Sequence, residues 1–369
     1  MKRIPFLIAI IGSLLFCLYS LFSGAYQNKA VSPSWRAESA PPSAESCRTC
    51  HEKYVDRFHG APHSRTLLSG TDPLVLSRFG DKSFANEQEK AEFQVHEGRL
   101  YYHHSRYPEP VQVDWVFGSG SHAMTPVSLI SNAQGKDQLV QLRTSWYPNN
   151  ELGPTLGQNT NADSLSGVER IGKLSDHAET MNCFGCHITN IVPTESRLTE
   201  DTVQPGVSCD RCHPGSVKHL QAQECGNESH GQWGLDWSKM TAMESVNRCG
   251  GCHRRADEMN PEDLTIQETD LPRLASVGLT LSPCFHPEAQ PGSAEYLTCT
   301  TCHDPHAPAS KIALNYVQTC RKCHSENSSV SVTCSNKPDS NDCLDCHMPK
   351  VEVAPHLKFT DHWIRVRND

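Results

Sequence analysis

The stretch Cys183-Phe184-Gly185-Cys186-His187 is one of seven places where two cysteines three residues apart are followed directly by a histidine. The seven motifs use 14 of the 18 cysteines in a chain of 369 residues, and every Cys-x-x-Cys in the chain has the histidine. About 0.05 such motifs are expected by chance at this composition, so the pattern decides the class of protein. The motifs cover residues 47–51, 183–187, 209–213, 249–253, 299–303, 320–324 and 343–347.

Covalent attachment of haem explains this spacing. Two thiols at this separation each form a thioether with a vinyl group of one porphyrin, and the imidazole of the next residue becomes the proximal ligand of the iron. We therefore predict seven covalently attached haem c groups. The predicted attachment residues are Cys47, Cys50, Cys183, Cys186, Cys209, Cys212, Cys249, Cys252, Cys299, Cys302, Cys320, Cys323, Cys343 and Cys346. The predicted proximal ligands are His51, His187, His213, His253, His303, His324 and His347.

Two other uses of paired cysteines fit the pattern less well. Zinc sites built from Cys-x-x-Cys need no histidine directly after the second cysteine, and they use two pairs for each ion. Seven pairs is an odd number. A disulfide framework would not require the histidine either.

The composition narrows the remaining function classes. Hydrophobic residues make up 37% of the chain and aromatic residues 7%, with 23 glycines and 24 prolines. These values disfavour an ordinary α/β enzyme with a large aliphatic core. The formal net charge is −9 with histidines neutral, which gives no electrostatic support for binding nucleic acid.

The start of the chain predicts export. Lys2 and Arg3 precede an uncharged apolar run over residues 4–22, so residues 1–25 are predicted to be a signal peptide or a membrane anchor. Cleavage near Ser23-Gly24-Ala25 and retention as an anchor both remain open. Residues 26–46 are predicted to be a flexible linker. We expect a periplasmic protein, or one on the outer face of the cytoplasmic membrane, that touches the membrane only through an uncleaved segment.

The spacing of the motifs predicts two regions, a one-haem region over 47–182 and a six-haem domain over 183–369. In the first region, hairpin patterns around Glu97-Gly98 and 132–137, and an alternating run over 111–117, predict a small antiparallel β element near residues 92–147. The last six motifs lie within 165 residues, too close together for separate globules. We therefore expect a stacked haem core in which porphyrin faces replace aliphatic side chains. The predicted fold is mainly α with much irregular loop.

The chain resembles the cytochrome c-554/c-prime domain family and the exported multihaem cytochromes that contain this domain, some of them linked to tetratricopeptide repeats, which we do not expect here. The likeness spans about residues 46 to 366. It implies a mostly helical fold with closely stacked haems, many of them with two histidine ligands. It rests on Ser46 to Tyr54 with His63, on Gly118-Ser119-Gly120-Ser121-His122 with Ser145-Trp146-Tyr147, on Gly206 to His213 with His219, on Cys302-His303-Asp304-Pro305-His306, and on Cys346-His347-Met348-Pro349 with Thr360-Asp361-His362-Trp363.

Of the 20 histidines, seven belong to the motifs and 13 do not. These 13 are enough to give every iron a second histidine ligand. The resemblance supports His63, His122, His219, His306, His356 and His362 as distal ligands. His177 is added because of its position six residues before Cys183. Most of the others are expected to be surface or hydrogen-bonded residues, with His103 and His104 exposed at a strand end; this group is His59, His96, His103, His104, His230 and His286.

Three cysteines lie outside both the motifs and the leader: Cys225, Cys284 and Cys334. Two of them can pair in an oxidising compartment, or they can remain buried thiols. Alternatively, the stretch Ser282-Pro283-Cys284-Phe285-His286 presents a thiolate or a histidine to an iron. The sequence leaves these alternatives open.

Two functions follow from this pattern. The first is electron transfer along closely packed haems, with redox partner proteins such as other cytochromes or a membrane quinol oxidoreductase. The alternative is a multihaem oxidoreductase that acts on a small nitrogen or sulfur compound, such as hydroxylamine, nitrite or nitric oxide, at one open haem. The Cys-x-x-Cys-Lys motif of pentahaem nitrite reductases and octahaem tetrathionate reductases does not occur in the sequence. Electron transfer is therefore favoured, and no catalytic residue is assigned.

Overall fold

Short helices alternate with antiparallel strands in the computed structural model, which describes residues 43–158, 164–191, 197–224, 235–265, 271–324 and 343–367. All of these residues belong to one structural unit, Trp35–Asp369. The predicted signal peptide or anchor and almost all of the predicted linker lie outside the described residues. The predicted division at residue 182 stays a prediction.

The described residues contain ten α-helices and seven 3-10 helices, most of them one to three turns long. The α-helices are α1 (Arg48–His59), α2 (Pro73–Phe79), α3 (His177–His187), α4 (Cys209–Cys212), α5 (Ser216–Glu224), α6 (Ala242–His253), α7 (Ala275–Thr280), α8 (Cys299–Cys302), α9 (Ala313–Arg321) and α10 (Cys343–His347). The 3-10 helices are Ala44–Cys47, Pro62–Arg65, Gly167–Arg170, Trp237–Lys239, Ala256–Glu258, Pro261–Asp263 and Leu271–Arg273.

Fifteen strands form five antiparallel sheets in the described part of the chain. One sheet has the order β1-β6-β7-β8-β11, a second has the order β2-β3-β4-β5, and the remaining three are the pairs β9/β10, β12/β13 and β14/β15. The strands are β1 (Leu67–Ser69), β2 (Ser83–Ala85), β3 (Lys90–His96), β4 (Arg99–His104), β5 (Tyr107–Gln112), β6 (Trp115–Phe117), β7 (Thr125–Ser131), β8 (Asp137–Leu142), β9 (Thr144–Trp146), β10 (Leu152–Pro154), β11 (Gly172–Leu174), β12 (Ile188–Ile191), β13 (Val203–Pro205), β14 (Lys350–Ala354) and β15 (Leu357–Thr360).

The prediction of a mainly α fold is wrong. About 37% of the described residues are helical, counting 3-10 turns, and 24% are in strands. The sheets also extend well beyond residues 92–147, from β1 to the final hairpin β14/β15. Many of the missed strands are only three or four residues long, too short for an alternating pattern to identify them.

Both predicted hairpins are confirmed. Strand β3 pairs with β4 across Glu97 and Gly98, whose φ angles are +50° and +74°, as a two-residue turn between twisted strands requires. Strand β7 pairs with β8 across residues 132–136. The run over 111–117 is two strands instead of one. The chain passes from one sheet to the other at Asp114, whose buried carboxylate accepts hydrogen bonds from the Leu129 backbone and the Gln112 side chain.

The two larger sheets have an apolar core of their own. Phe93 is fully buried and lies between Phe79 and Tyr102, with ring centres 4.9 and 5.0 Å away. A second cluster joins β6 to helix α3, where Trp115 packs edge-on against Phe184. The β region therefore fixes the position of α3, which carries the second haem motif.

The later part of the chain is packed differently. Beyond residue 235, the described residues form one small apolar cluster of four buried side chains, Ala242, Val246, Leu279 and Phe285. Five of the seven motifs begin after residue 208. Aliphatic packing is therefore sparse where the motifs are dense.

A buried charge cluster ties the two larger sheets together. Glu89 Oε2 accepts a hydrogen bond from Arg143 Nε at 3.0 Å and lies 3.3 Å from Arg106 Nη1 and 3.5 Å from His104 Nε2. His104 is 5% exposed, so its predicted exposure is wrong. The hydrophobic alternation of β4 turns this side chain inward. Burial alone would raise the pKa of Glu89, but hydrogen bonds from His104 and Arg143 and the charge of Arg143 hold it below its usual value.

We predict that Glu89→Gln lowers the free energy of unfolding by about 3 kcal/mol at neutral pH, because it leaves buried cations without their carboxylate. The folded-state pKa of Glu89 is depressed, so its contribution is present above the unfolded pKa of about 4.3 and is lost as the pH falls through the folded value. The difference between native and variant protein should therefore shrink in acid. Urea titrations at several pH values, with the exposed Glu87→Gln as control, measure it; equal losses in both variants would contradict the account.

Candidate haem-binding sites

Every predicted attachment motif lies on a helical turn. The third and fifth motifs contain the single-turn helices α4 and α8, and the seventh forms α10. The second and fourth lie at the carboxyl ends of α3 and α6, and the sixth begins in the last two residues of α9 and continues into the turn that follows. The first begins at Cys47, the residue before α1. In a helix, residues three apart share a face, so both thiols of each motif are on the same side of their turn.

The local sequence explains why two of these helices form. Asp176 caps α3 and Thr241 caps α6, each through a capping box with the glutamate three residues later. Such a box satisfies backbone N–H groups that have no partner within the helix. In both helices the motif fills the last turn, so the cap at one end fixes the direction in which the thiols and the imidazole emerge at the other.

The thiols are available for thioether bonds. No disulfide joins two cysteines in the part of the chain that the structure describes. Cys284 is a half-buried thiol close to the motif cysteines Cys302 and Cys323. Cys225 and Cys334 lie outside the described residues, so the predicted pairing of two among these three stays open.

Thiols from different motifs meet in three places. Burial and a hydrogen bond to Cys209 raise the pKa of Cys47 to about 11. A hydrogen bond to Cys252 raises the pKa of Cys186, and one to Cys299 raises the pKa of Cys249. These contacts place the first motif beside the third, the second beside the fourth, and the fourth beside the fifth.

Four motif histidines face a histidine from another part of the chain. In every pair, the histidine that lies outside the motifs is one of the predicted distal ligands. The ring centres are 6.3 Å apart for His51 and His219, 6.1 Å for His63 and His253, 6.2 Å for His213 and His306, and 6.2 Å for His303 and His362.

These separations fit an iron atom between the rings. A metal–imidazole bond is about 2.0 Å long and the ring centre lies about 1.15 Å behind the ligating nitrogen, so two imidazoles on opposite sides of one metal have centres about 6.3 Å apart. Direct stacking of two rings gives shorter separations, such as the 4.7 Å between His122 and Phe359. The four separations are compatible with a haem iron that has two histidine ligands.

Burial favours the neutral form of five of the histidines. It lowers the pKa of His187, His213, His253 and His303 in the motifs, and of His362 among the predicted distal ligands. A neutral imidazole has the lone pair that a metal binds. The electrostatics of the site thus favour the protonation state that ligation needs.

Hydrogen bonds orient several of the rings. His187 Nδ1 is 2.9 Å from the Thr66 carbonyl oxygen, His347 Nδ1 is 3.0 Å from that of Arg365, and His362 Nδ1 is 2.9 Å from that of Thr360. Because the carbonyl holds the Nδ1 proton, the lone pair is on Nε2. That nitrogen is the one available to an iron.

Two glycines allow segments that carry histidines to come close. A Cβ atom on Gly206 would lie 2.4 Å from the Ser64 carbonyl oxygen, next to His63. A Cβ atom on Gly278 would lie 2.8 Å from the Trp363 nitrogen, next to His362. Gly206 belongs to a stretch on which the resemblance rests, whereas the sequence around Gly278 gives no signal of its role.

Three other predicted distal ligands make no ring contact with any motif histidine among the described residues. His122 stacks on Phe359, and His356 packs against Tyr147 in the turn between β14 and β15. His177 begins α3 and bonds the Asp137 carbonyl oxygen. It is ten residues from His187 on one helix, about 15 Å along the axis, so it does not reach that iron. Their ligand roles stay predictions.

Most of the histidines that were expected to be solvated or hydrogen-bonded are exposed or hydrogen-bonded in the structure. His59 Nε2 is 2.6 Å from Glu45 Oε1, and His96 and His286 are exposed. His103 is half-buried. His230 lies outside the described residues.

The comparisons with known proteins support the same class of protein. Residues 155–214 match the family model "Cytochrome c554 and c-prime". The chain is 26% identical over 409 aligned positions to the dissimilatory sulfite reductase MccA of Wolinella succinogenes. The alignment covers 88% of this chain. The chain is a multihaem c-type cytochrome. It carries covalently bound haem c, as this class implies.

The solved structures support the fold. The crystal structure of the outer cell wall cytochrome OcwA matches with a TM-score of 0.51 and 13% sequence identity, over 89% of this chain and 80% of that one. The chain spans about half of MccA, 51% of its length. Within the residues that the structure describes, no helix combines the length and apolar character needed to cross a bilayer.

We predict that His362→Ala converts one haem of the cytochrome from low-spin to high-spin, because the iron held by His303 loses the ring that faces it. The absorption and electron paramagnetic resonance spectra of the oxidised protein measure the change, and cyanide should bind the new open site. The exposed His286→Ala is the matched control and should leave both spectra unchanged. An unaltered spectrum of the His362 variant at full haem content would contradict the pairing.

Proposed function

We propose that this chain is a heptahaem cytochrome that transfers electrons along closely packed haems in an exported redox chain. The observation that carries the proposal is the set of four imidazole pairs with ring centres 6.1 to 6.3 Å apart. An iron with two histidine ligands has no position left for a substrate. It exchanges electrons with small change in structure, which suits a conduit.

The ligand pairs cross between distant segments. We assign His219, which follows the third motif, to the iron of the first motif, and His63, which follows the first, to the iron of the fourth. His306 follows the fifth motif and serves the iron of the third, and His362 follows the seventh and serves the iron of the fifth. Each haem is thereby clamped by two segments, so the haems are held in fixed positions relative to one another.

The thiol contacts supply the order of neighbours. A thioether bond lies at the rim of its porphyrin, so two motifs whose thiols touch hold porphyrins with adjacent rims. On this reasoning the first haem is next to the third, and the fourth haem is next to both the second and the fifth. The fourth haem then lies between the second and the fifth in the conduit.

The residues have simple roles in this function. The cysteine pairs anchor, the motif histidines ligate, and the crossed histidines close the opposite side and exclude water from the iron. Bound haem supplies the one-electron chemistry. The protein sets the potentials through burial and through hydrogen bonds to the imidazoles.

The proposed partners are redox proteins, either other cytochromes or a membrane quinol oxidoreductase. The chain has a net charge of −9, and the haem propionates add to it. A positively charged docking face on the partner would speed encounter, as expected for small and transient redox interfaces. Covalent haem attachment and the predicted leader support a location outside the cytoplasm.

The haem count and the conduit are tested together. Intact-mass measurement of the protein purified from a host with cytochrome c maturation should give seven added haems, and anaerobic reductive titration should take up seven electrons per chain. The seven motifs and their accessible thiols are the reason for this number. Fewer covalent haems, or haems that accept no electrons from one another, would refute the proposal.

A second function has support at the second motif. His187 has ring contact with Phe117, and neither His187 nor His324 has ring contact with a second imidazole among the described residues. An iron held there by one histidine has an open position for a small molecule. The similarity to a sulfite reductase over about half of that enzyme's length favours a small oxoanion or nitrogen compound as substrate.

Ligand binding distinguishes the two functions. If one haem binds cyanide or nitric oxide and the protein reduces sulfite or nitrite or oxidises hydroxylamine, the second function holds at His187. If no haem binds either ligand, the conduit alone remains. The variant Phe117→Ala should alter the spectrum of the ligand-bound haem, whereas Phe79→Leu in the separate β core should not.

A further inference from the structure

One imidazole of the four pairs is backed by a carboxylate. His306 faces His213 with the rings nearly parallel, 9° apart, and with centres separated by 6.2 Å. Its Nδ1 donates a hydrogen bond to Asp304 Oδ1 at 3.0 Å. The ring nitrogen that faces the iron and the one that faces the carboxylate are therefore the two ends of one conjugated system.

Asp304 is held from both sides. Its Oδ1 also accepts a hydrogen bond from the His306 backbone N–H at 2.9 Å. Its Oδ2 accepts a hydrogen bond from Arg57 Nη2 in α1, the helix of the first motif. These hydrogen bonds form a line of contacts from Arg57 through Asp304 to His306.

The carboxylate in this line is surrounded by donors and a cation. It accepts hydrogen bonds from the backbone N–H and the ring of His306 and pairs with the Arg57 guanidinium. By contrast, the Nδ1 atoms of His187, His347 and His362 rest on neutral backbone carbonyls. The haem between His213 and His306 would therefore have a carboxylate behind one of its ligands, where those three histidines have a backbone carbonyl.

We propose that Asp304 and Arg57 set the reduction potential of the haem held between His213 and His306. The inference rests on the proposed function, in which His306 ligates that iron. A carboxylate that draws on the Nδ1 proton makes the imidazole a stronger donor. A stronger donor stabilises the ferric over the ferrous state, so the potential falls. Arg57 forms an ion pair with Asp304 and weakens the pull of the carboxylate on the Nδ1 proton, so the fall in potential is smaller.

The electron balance of this site is simple. A haem held there would take one electron from a neighbouring haem, which would be oxidised by one electron, and the Nδ1 proton would stay on His306 or move toward Asp304 without leaving the pair. Asp304 touches neither iron nor substrate, so it is a positioning residue. Its side chain is 38% exposed and that of Arg57 is 42% exposed, so solvent screening keeps the effect moderate.

Two variants test the proposal because they must act in opposite directions. Asp304→Asn keeps the size and the backbone hydrogen bond but removes the charge, so the potential of one haem should rise. Arg57→Gln leaves Asp304 without its cation, so the potential of the same haem should fall. At fixed applied potential we expect the ratio of reduced to oxidised iron at this haem to change about threefold in each direction, measured by spectroelectrochemical titration; a tenfold change would be 59 mV.

The matched control is Asp56→Asn. Asp56 lies on the same helix as Arg57 and pairs with Arg48, so its removal takes away one negative charge without touching an imidazole. It should move no component of the titration by a comparable amount. Shifts of equal sign in the Asp304 and Arg57 variants, or no shift in either at full haem content, would overturn the proposal.

A further variant separates this proposal from the proposed function. His306→Ala should give one high-spin haem and identify the component that the other variants shift. If His306→Ala leaves every haem low-spin, the ligand assignment fails and the tuning pair fails with it. If His306→Ala behaves as expected while Asp304→Asn shifts nothing, the conduit stands and only the tuning role is lost.

Discussion

We propose that an iron atom shared by two imidazoles from distant parts of the chain is the interaction on which this structure depends. Four pairs of histidine rings have centres 6.1 to 6.3 Å apart, a separation that two ligands of one metal would have. The members of each pair are separated by 59 to 190 residues, so each iron would join distant segments of the chain. The short helices around them have little other reason to pack as they do.

The chain combines two kinds of interior. The β region buries Phe79, Phe93, Trp115 and Trp146 in cores built from side chains. The later part has the small cluster around Val246 and many half-buried motif cysteines. Helix α3 connects the two, because Phe184 packs under the sheet while Cys183 and Cys186 emerge at the end of the same helix.

The sequence predicted the chemistry of this protein better than its fold. The spacing of the motifs depends on covalent chemistry, so it can be read directly, and four of the seven predicted distal histidines lie opposite a motif histidine. The fold class was missed because three-residue strands such as β1 and β11 leave no pattern. The partner of each iron was also beyond reach, since no spacing relates His63 to His253. The line from Arg57 to His306 spans 249 residues, and only folding brings it together.

The most direct test of this account is a count of the irons that have two histidine ligands. Near-infrared magnetic circular dichroism of the fully oxidised cytochrome, quantified against total haem, distinguishes histidine–histidine ligation from other axial pairs. The account predicts at least four such irons per chain, one for each ring pair. Fewer than four at full haem content would contradict it.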